Sequence, residues 1–481
     1  HVYLYRFKQN CRHIMTGIIS AATTRKALVK VLAQGQQRAC QTNEPVLASL
    51  SLPLPNNNNP VAVFSACKSA SFRTFWGKPS KAFWLVGYGS AVKLISNGET
   101  SIDGVTDKYR TLLTRAVIEA PCASGVGPVA LGGFRYDTQA IRDAVWRSFP
   151  DAMLVLPRFL FTRSGTGAWL TINSMVGTHT DVAVQAESLL AELQALDITR
   201  LPEDRQPIIK RVSQSSSEEY ASYVRKALED IQGGFLTKVV LARRKVLCAE
   251  APFSLDSALE QLCDNYPDCV IFAFENGGSA FFGATPESLV SINQGRLSLT
   301  CLAGSSSRGN SPEEDLLLEK QLYESPKERA EHAAVVATVT ESLKDLCRKQ
   351  QWDSEPRILK LRNVQHLLTS VSGILNPCTS VIDIVKRLHP TPAVAGVPTD
   401  RAVSFIRDNE GDRGWYAAPV GWLDHAGGGE FAVGIRSGLL VGKRAVLYAG
   451  AGIVKGSEPE REFKETELKF QPLMSALGGS Q

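Results

Sequence analysis

Residues 430–469 read EFAVGIRSGLLVGKRAVLYAGAGIVKGSEPEREFKETELK, two strand patterns, a glycine turn and a helix start in one continuous stretch. Phe431, Val433 and Ile435 alternate with smaller residues, as along a half-buried strand, and Arg436 ends the run. Ala445–Tyr448 reads as the partner strand, closing on Ala449-Gly450-Ala451-Gly452. Ser457 is expected to open a helix, with Pro459 in its first turn and Glu460 placed for a capping box. On that helix Glu462, Glu465 and Lys469 fall at i, i+3 and i+7, on one face. Each feature has a plain reading. Glu465 with Lys469 is a helix-supporting pair worth about 0.2–0.5 kcal/mol, a strand-end arginine snorkels to water, and glycines after a strand mark a turn. Together they describe an anion site, with a guanidinium fork and free N–H groups beside a carboxylate pair suited to a divalent cation.

The chain around this stretch has 481 residues, 44% hydrophobic and 21% charged, enough to bury a large core. No apolar run approaches the roughly 18 residues of a membrane span, so none is expected. The net charge of +5 is unevenly spread. Residues 1–98 carry +11, with Glu44 their one acid, and the remainder carries −6. The mildly acidic body offers no basic groove, which argues against nucleic acid. Residues 1–43 contain no acid and are rich in Arg, Lys, Ser, Thr and Ala. They read either as an organelle transit peptide, which would place the protein in a plastid, or as a basic tail on a cytoplasmic protein. Residues 1–64 as a whole read as tail and linker, ending in Pro53, Pro55 and Asn56–Asn59 before Pro60, with one domain over 65–481. Ten scattered cysteines with no C-x-x-C argue against zinc and for a reducing compartment.

Trp84–Gly89 reads as the first core strand. Ser216 is expected to cap a helix through Tyr220, Tyr223, Val224, Ala227, Leu228 and Ile231, stopped by Gly233-Gly234. Lys238 then stands in an apolar strand, either as an edge gatekeeper or as an interior lysine that desolvation makes a usable base. The aromatic run at 280–282 is expected to turn at Gly283 and leave Glu287 opening the next element. There it is either a carboxylate on a helix dipole or a carboxylic acid kept protonated by apolar surroundings. Leu302-Ala303-Gly304-Ser305 reads as a small-residue turn with N–H groups for an anion. Ser325 and Glu328 form a capping box, which leaves Glu331, one turn on, unexplained. Two helices thus begin with Ser, an early Pro and Glu-x-x-Glu, an oxygen-only set suited to Mg2+ if they meet. His389 lies in the rigid loop Leu388–Gly396, and Tyr416 among apolar neighbours.

KVVLAR, GATPES, LAGSSSRG, SPKERAEH, LHPTPAVAG, GWYAAPVGW, FAVGIRSG, YAGAGIVKGS and EFKETELK, in this order, resemble the chorismate-utilising enzymes, and among them the isochorismate synthase branch. The likeness is strong over 205–475 and loose over 80–200. It implies one large α+β domain, two antiparallel sheets in a sandwich with helices outside and the site in a cleft. It also implies a monomer that isomerises chorismate for quinone or salicylate biosynthesis. Position by position, Lys238 matches the base that activates water and Glu287 the acid that protonates the departing hydroxyl. Glu331 and Glu465 match Mg2+ ligands, with Glu328 and Glu462 on metal-bound waters. Arg436 and Tyr416 match the clamp on the enolpyruvyl carboxylate. Gly304, Ser305, Gly450 and Lys469 match groups around the two carboxylates, and His389 and Ala393 the ring pocket. Anthranilate and aminodeoxychorismate synthases usually lack a lysine at the place of Lys238. Salicylate synthases keep it but tend to carry Thr near Ala393. A silent chorismate-binding relative would not need the acid–base set intact.

Overall fold

Strand Ser279–Thr285 shows how the layers form. Phe281 faces one apolar cluster, while Ala280, Phe282 and Ala284 face another, and all four are buried. A strand buried on both faces belongs to a sheet covered on both sides. In the computed structural model, which describes residues 22–479 apart from 57–58, 68–69, 166, 197, 199–204 and 361–363, that sheet has 13 strands. A second sheet of 10 strands covers one face. Helices Ala22–Thr42, Val182–Gln194, Leu255–Asn265 and Pro459–Ala476 pack on the other through Leu28, Leu32, Leu189, Leu259 and Leu473. Between the sheets lie Trp146, Phe149, Phe281 and Trp415, the Phe149 and Trp415 rings 5.0 Å apart. Among the described residues pairing is antiparallel except where Val46–Leu54 runs parallel to Val117–Glu119. The expected α+β sandwich with outer helices is the observed fold.

Residues 22–64 are not a tail. Ala22–Thr42 is a packed helix, and Val46–Leu54 pairs along its length with Gly167–Val176 inside the large sheet. The first core strand is therefore Val46–Leu54, not the one at Trp84. The basic composition concealed this because the helix buries only a narrow stripe, Leu28, Val31 and Leu32, and exposes its charges. The part of the leader reading over residues 1–21 lies outside the described residues. Nine cysteines are described and all are free. No helix among the described residues is long and apolar enough to cross a membrane.

Replacing fully buried Leu47 by Ala is expected to cost about 2–5 kcal/mol in urea unfolding; a tail residue would show no change.

Candidate active site

Lys238 begins the strand Lys238–Ala249 and is paired on both sides, with Val397 and with Val454, so it is no edge residue. Its side chain is 24% exposed and lies 3.7 Å from Glu331. Its stem runs over Gly452, where an added Cβ would sit 3.1 Å from Lys238 Cε.

Glu287 lies between strands Ser279–Thr285 and Ser288–Asn293, so no helix dipole acts on it. Burial pushes its carboxyl up to about 7, against the opposing pull of Lys238 and Lys469. The direction is the one the second reading expects, a carboxyl that holds its proton to higher pH than usual. The chain does not turn at Gly283. That glycine sits mid-strand, where a Cβ would meet the Arg436 carbonyl at 2.7 Å. The close approach brings the Arg436 turn beside Glu287, with Ala284 N–H donating to Arg436 O at 3.1 Å. Arg436 itself is held at φ +48°, a costly conformation for a non-glycine residue that aims its side chain. Among the described residues its guanidinium has no ion-pair partner, and burial lowers its pKa.

Gly304 does not turn the chain either. Residues 302–305 lie inside the long strand Arg296–Ser307, where pairing slips between Ala303 and Ser305 and Gly304 takes φ +74°. The bulge points Ser305 N–H at Glu328 Oε2, 3.3 Å away. Ser325 caps the helix Pro326–Ser342 by accepting from Glu328 N–H, but the Glu328 carboxylate goes to Ser305 instead of closing the box. His332, one turn on, fixes this helix to the sheet: Nδ1–H donates to Ala303 O at 3.2 Å, and Thr369 Oγ1 donates to Nε2 at 2.7 Å.

The helix Pro459–Ala476 starts without the expected cap. Its N-cap is Glu458, and the Ser457 hydroxyl accepts from Val454 N–H. What sets the helix is Arg243, on the Lys238 strand. Its Nε donates to Thr466 Oγ1 at 2.6 Å, it pairs with Glu467, and it stacks 3.8 Å from the Phe463 ring centroid. Glu462, Glu465 and Lys469 are thereby turned toward the cleft. Lys469 Nζ reaches Glu465 at 2.6 Å and Gly450 O at 2.8 Å. A Cβ on Gly450 would stand 3.1 Å from the Tyr416 hydroxyl, so bare backbone faces Tyr416. The Tyr416 ring stacks on Tyr448 at 4.9 Å.

His389 stands edge-on to Tyr136, ring centroids 5.8 Å apart, and burial pushes its imidazolium down to about 3. Ala393 is exposed on the same loop. The loop is hung on the Lys238 strand by Val240 N–H to Ala395 O, 2.8 Å, and Thr237 N–H to Val397 O, 2.7 Å. Behind it the buried Arg413 donates to Val394 O and Val240 O and pairs with Glu410, which accepts from Ala242 N–H at 2.7 Å.

The four glutamates of the two helices offer oxygen donors, and Mg2+ is commonly held by one or two carboxylates with water. Burial holds the Glu462 carboxyl above its usual range and the Glu465 charge adds to this, so a cation there would relieve an existing repulsion. The donor set fits Mg2+ in these respects. The helices do not bring all four together: among the described residues no three His, Cys, Asp or Glu group closely enough to hold an ion. Glu331, Glu328 and Glu465 are instead turned to Lys238, Ser305 and Lys469. Sequence reasoning missed His366, His332, Arg243 and the Glu410–Arg413 pair. Arg243 and His332 sit inside motifs already singled out, while His366 carries no local signal. A separate cavity of about 220 Å³, beside Arg73, Asp256 and Glu275, contains none of the site residues.

The chorismate binding enzyme family matches residues 34–478. The chain is 33% identical to isochorismate synthase MenF of Bacillus subtilis, over 95% of this chain and 99% of that one. It is 34% identical to the salicylate biosynthesis isochorismate synthase of Pseudomonas aeruginosa, over 93% and 94%, and 31% identical to the chloroplastic isochorismate synthase of Catharanthus roseus, over 72% and 62%. The structure of MenF, the menaquinone-specific isochorismate synthase from Escherichia coli, superposes with a TM-score of 0.76 at 26% identity, covering 93% of this chain and all of that one. Matched by the family over residues 34–478, and over 95% of its length by a relative 33% identical to it, the chain belongs to the chorismate-binding enzyme family.

Proposed function

We propose that the chain is an isochorismate synthase, an isomerase that moves the hydroxyl of chorismate from ring carbon 4 to carbon 2. The observation that carries this reading is the Glu287 carboxyl, held near pH 7 in the same cleft as Lys238. Lys238 takes a proton from a water as its oxygen bonds to carbon 2. The ring double bonds shift, the carbon 4–oxygen bond breaks, and Glu287 gives its proton to the departing hydroxyl, which leaves as water. Base and acid contribute about 10²–10⁴-fold each. Arg436 and Tyr416 are suited to clamp the enolpyruvyl carboxylate, and Lys469 with the Gly304–Ser305 bulge and Gly450 to hold the charged end of the ring. His389, neutral at physiological pH, and Ala393 would line the ring pocket. Glu331 and Glu465, with Glu328 and Glu462 behind them, would hold Mg2+, which when bound anchors the ring carboxylate and spreads charge as the double bonds shift.

Incubation with chorismate and Mg2+, followed by chromatography, is expected to give isochorismate without pyruvate. Pyruvate with salicylate would identify a salicylate synthase, and absence of turnover would reject the enzyme reading. Lys238→Ala is expected to abolish turnover while chorismate still binds; a near-normal rate would reject the base assignment.

The pH profile of kcat/KM is expected to fall as pH rises through about 7, because ionised Glu287 has no proton to give. Glu287→Gln should lower kcat by about 10² or more, and the residual rate should lose that limb. Gly452→Ala, which crowds Lys238 Cε from 3.1 Å, is expected to reduce kcat, by up to ~10²-fold, with little change in thermal stability.

A further inference from the structure

His366 stands opposite Ser305 in the ladder between strands Arg296–Ser307 and Val364–Leu375, at the bulge made by Gly304. Its Nδ1 lies 2.8 Å from Ser305 Oγ. Burial, with the charges of Lys469 and Arg436 adding to it, pushes its imidazolium down to about 4. The ring therefore brings hydrogen-bonding capacity to this wall without a third positive charge. The Ser305 N–H is already committed to Glu328 Oε2, so the hydroxyl is the donor that Ser305 has left to offer a ligand.

We propose that His366 is a positioning residue for substrate binding, its imidazole fixing the Ser305 hydroxyl so that the bulge presents a donor to a substrate carboxylate beside Lys469 and Arg436. A carboxylate accepts only, which sets the tautomer: Nδ1–H donates to Ser305 Oγ, and Oγ–H donates to the ligand. Were Nδ1 the acceptor, the hydroxyl proton would be spent on the ring and oxygen lone pairs would face the carboxylate. The inference rests on this cleft being the chorismate site.

The test is steady-state kinetics with chorismate for His366→Ala, His366→Asn, Ser305→Ala and the double alanine variant. His366→Ala is expected to raise KM about 10-fold, with kcat within about threefold of wild type, because the contact is made equally in ground and transition states. Ser305→Ala should give the same rise and the double variant no more, since the two side chains act as one unit. His366→Asn, whose amide nitrogen stands near the place of Nδ1, should recover most of the affinity. An unchanged KM in His366→Ala, multiplying losses in the double variant, or no recovery with Asn would overturn the role. If thermal melts show that His366→Ala does not fold, His366→Asn with and without Ser305→Ala carries the same test: a near-wild-type KM for His366→Asn that Ser305→Ala then raises about 10-fold supports the role, and a KM for His366→Asn as high as that of Ser305→Ala overturns it. A wild-type protein that fails to turn over chorismate overturns the reading of the cleft itself. Normal wild-type turnover with an unaffected His366→Ala overturns only the part assigned to His366.

Discussion

The cleft depends on one buried ion pair, Arg413 with Glu410, whose atoms lie 2.8 Å apart and whose side chains are 3% and 7% exposed. It ties together three segments, adding to the backbone hydrogen bonds that hang the His389 loop on the Lys238 strand. Glu410 accepts from Ala242 on the Lys238 strand, while Arg413 reaches Val240 on that strand and Val394 on the His389 loop. The Arg413 backbone carbonyl accepts from Tyr416 N–H at 3.0 Å, and its guanidinium lies 4.7 Å over the Tyr136 ring. Taking either partner away would strand a desolvated charge at a cost of about 3–5 kcal/mol. Lys238, the His389 loop and Tyr416 are thus held in one frame by a pair of charges buried away from solvent.

Around that frame the cleft is an arrangement of cations with incomplete neutralisation. Lys238 and Lys469 each face a glutamate, and Arg436 faces none within ion-pair distance among the described residues. Burial disfavours the charged forms of Arg436 and Lys469, so a ligand carrying two carboxylates would meet groups whose charge is poorly solvated and gain most from pairing with them. The same burial acts oppositely on Glu287, raising its carboxyl pKa. One physical cause, removal of water, shifts the cations and the carboxyl in opposite directions.

Close approach of bare backbone is the other requirement. Gly283 admits the Arg436 turn, Gly450 faces the Tyr416 hydroxyl, and Gly452 leaves room for the Lys238 stem. A Cβ would meet the Arg436 carbonyl and Ser437 at the first, the Leu241 carbonyl and the Tyr416 hydroxyl at the second, and the Lys238 stem at the third. Gly304 differs, since its positive φ is what makes the bulge.

The sequence by itself determined the type of fold and which side chains the candidate site offers. Ser216 as a helix cap and the spacing of Glu462, Glu465 and Lys469 are local patterns, set by backbone geometry within a few residues, and they could be read without a partner. The expected pairing of the Phe431 run with Ala445–Tyr448 could not, because Gly429–Val433 joins the second sheet while Ala445–Tyr448 pairs with Ser437–Val441 and the Lys238 strand. Tertiary structure alone decided what those groups do. Whether Lys238 was edge or interior depended on Val397 and Val454, about 160 and 216 residues away, and the state of Glu287 on burial by segments distant in the chain. His366 joined the site only because a bulge at Gly304 set it against Ser305, and Val46–Leu54 became core only by pairing with Gly167–Val176. Desolvation and strand pairing are properties of neighbours brought from elsewhere in the chain, and no short stretch of sequence contains them.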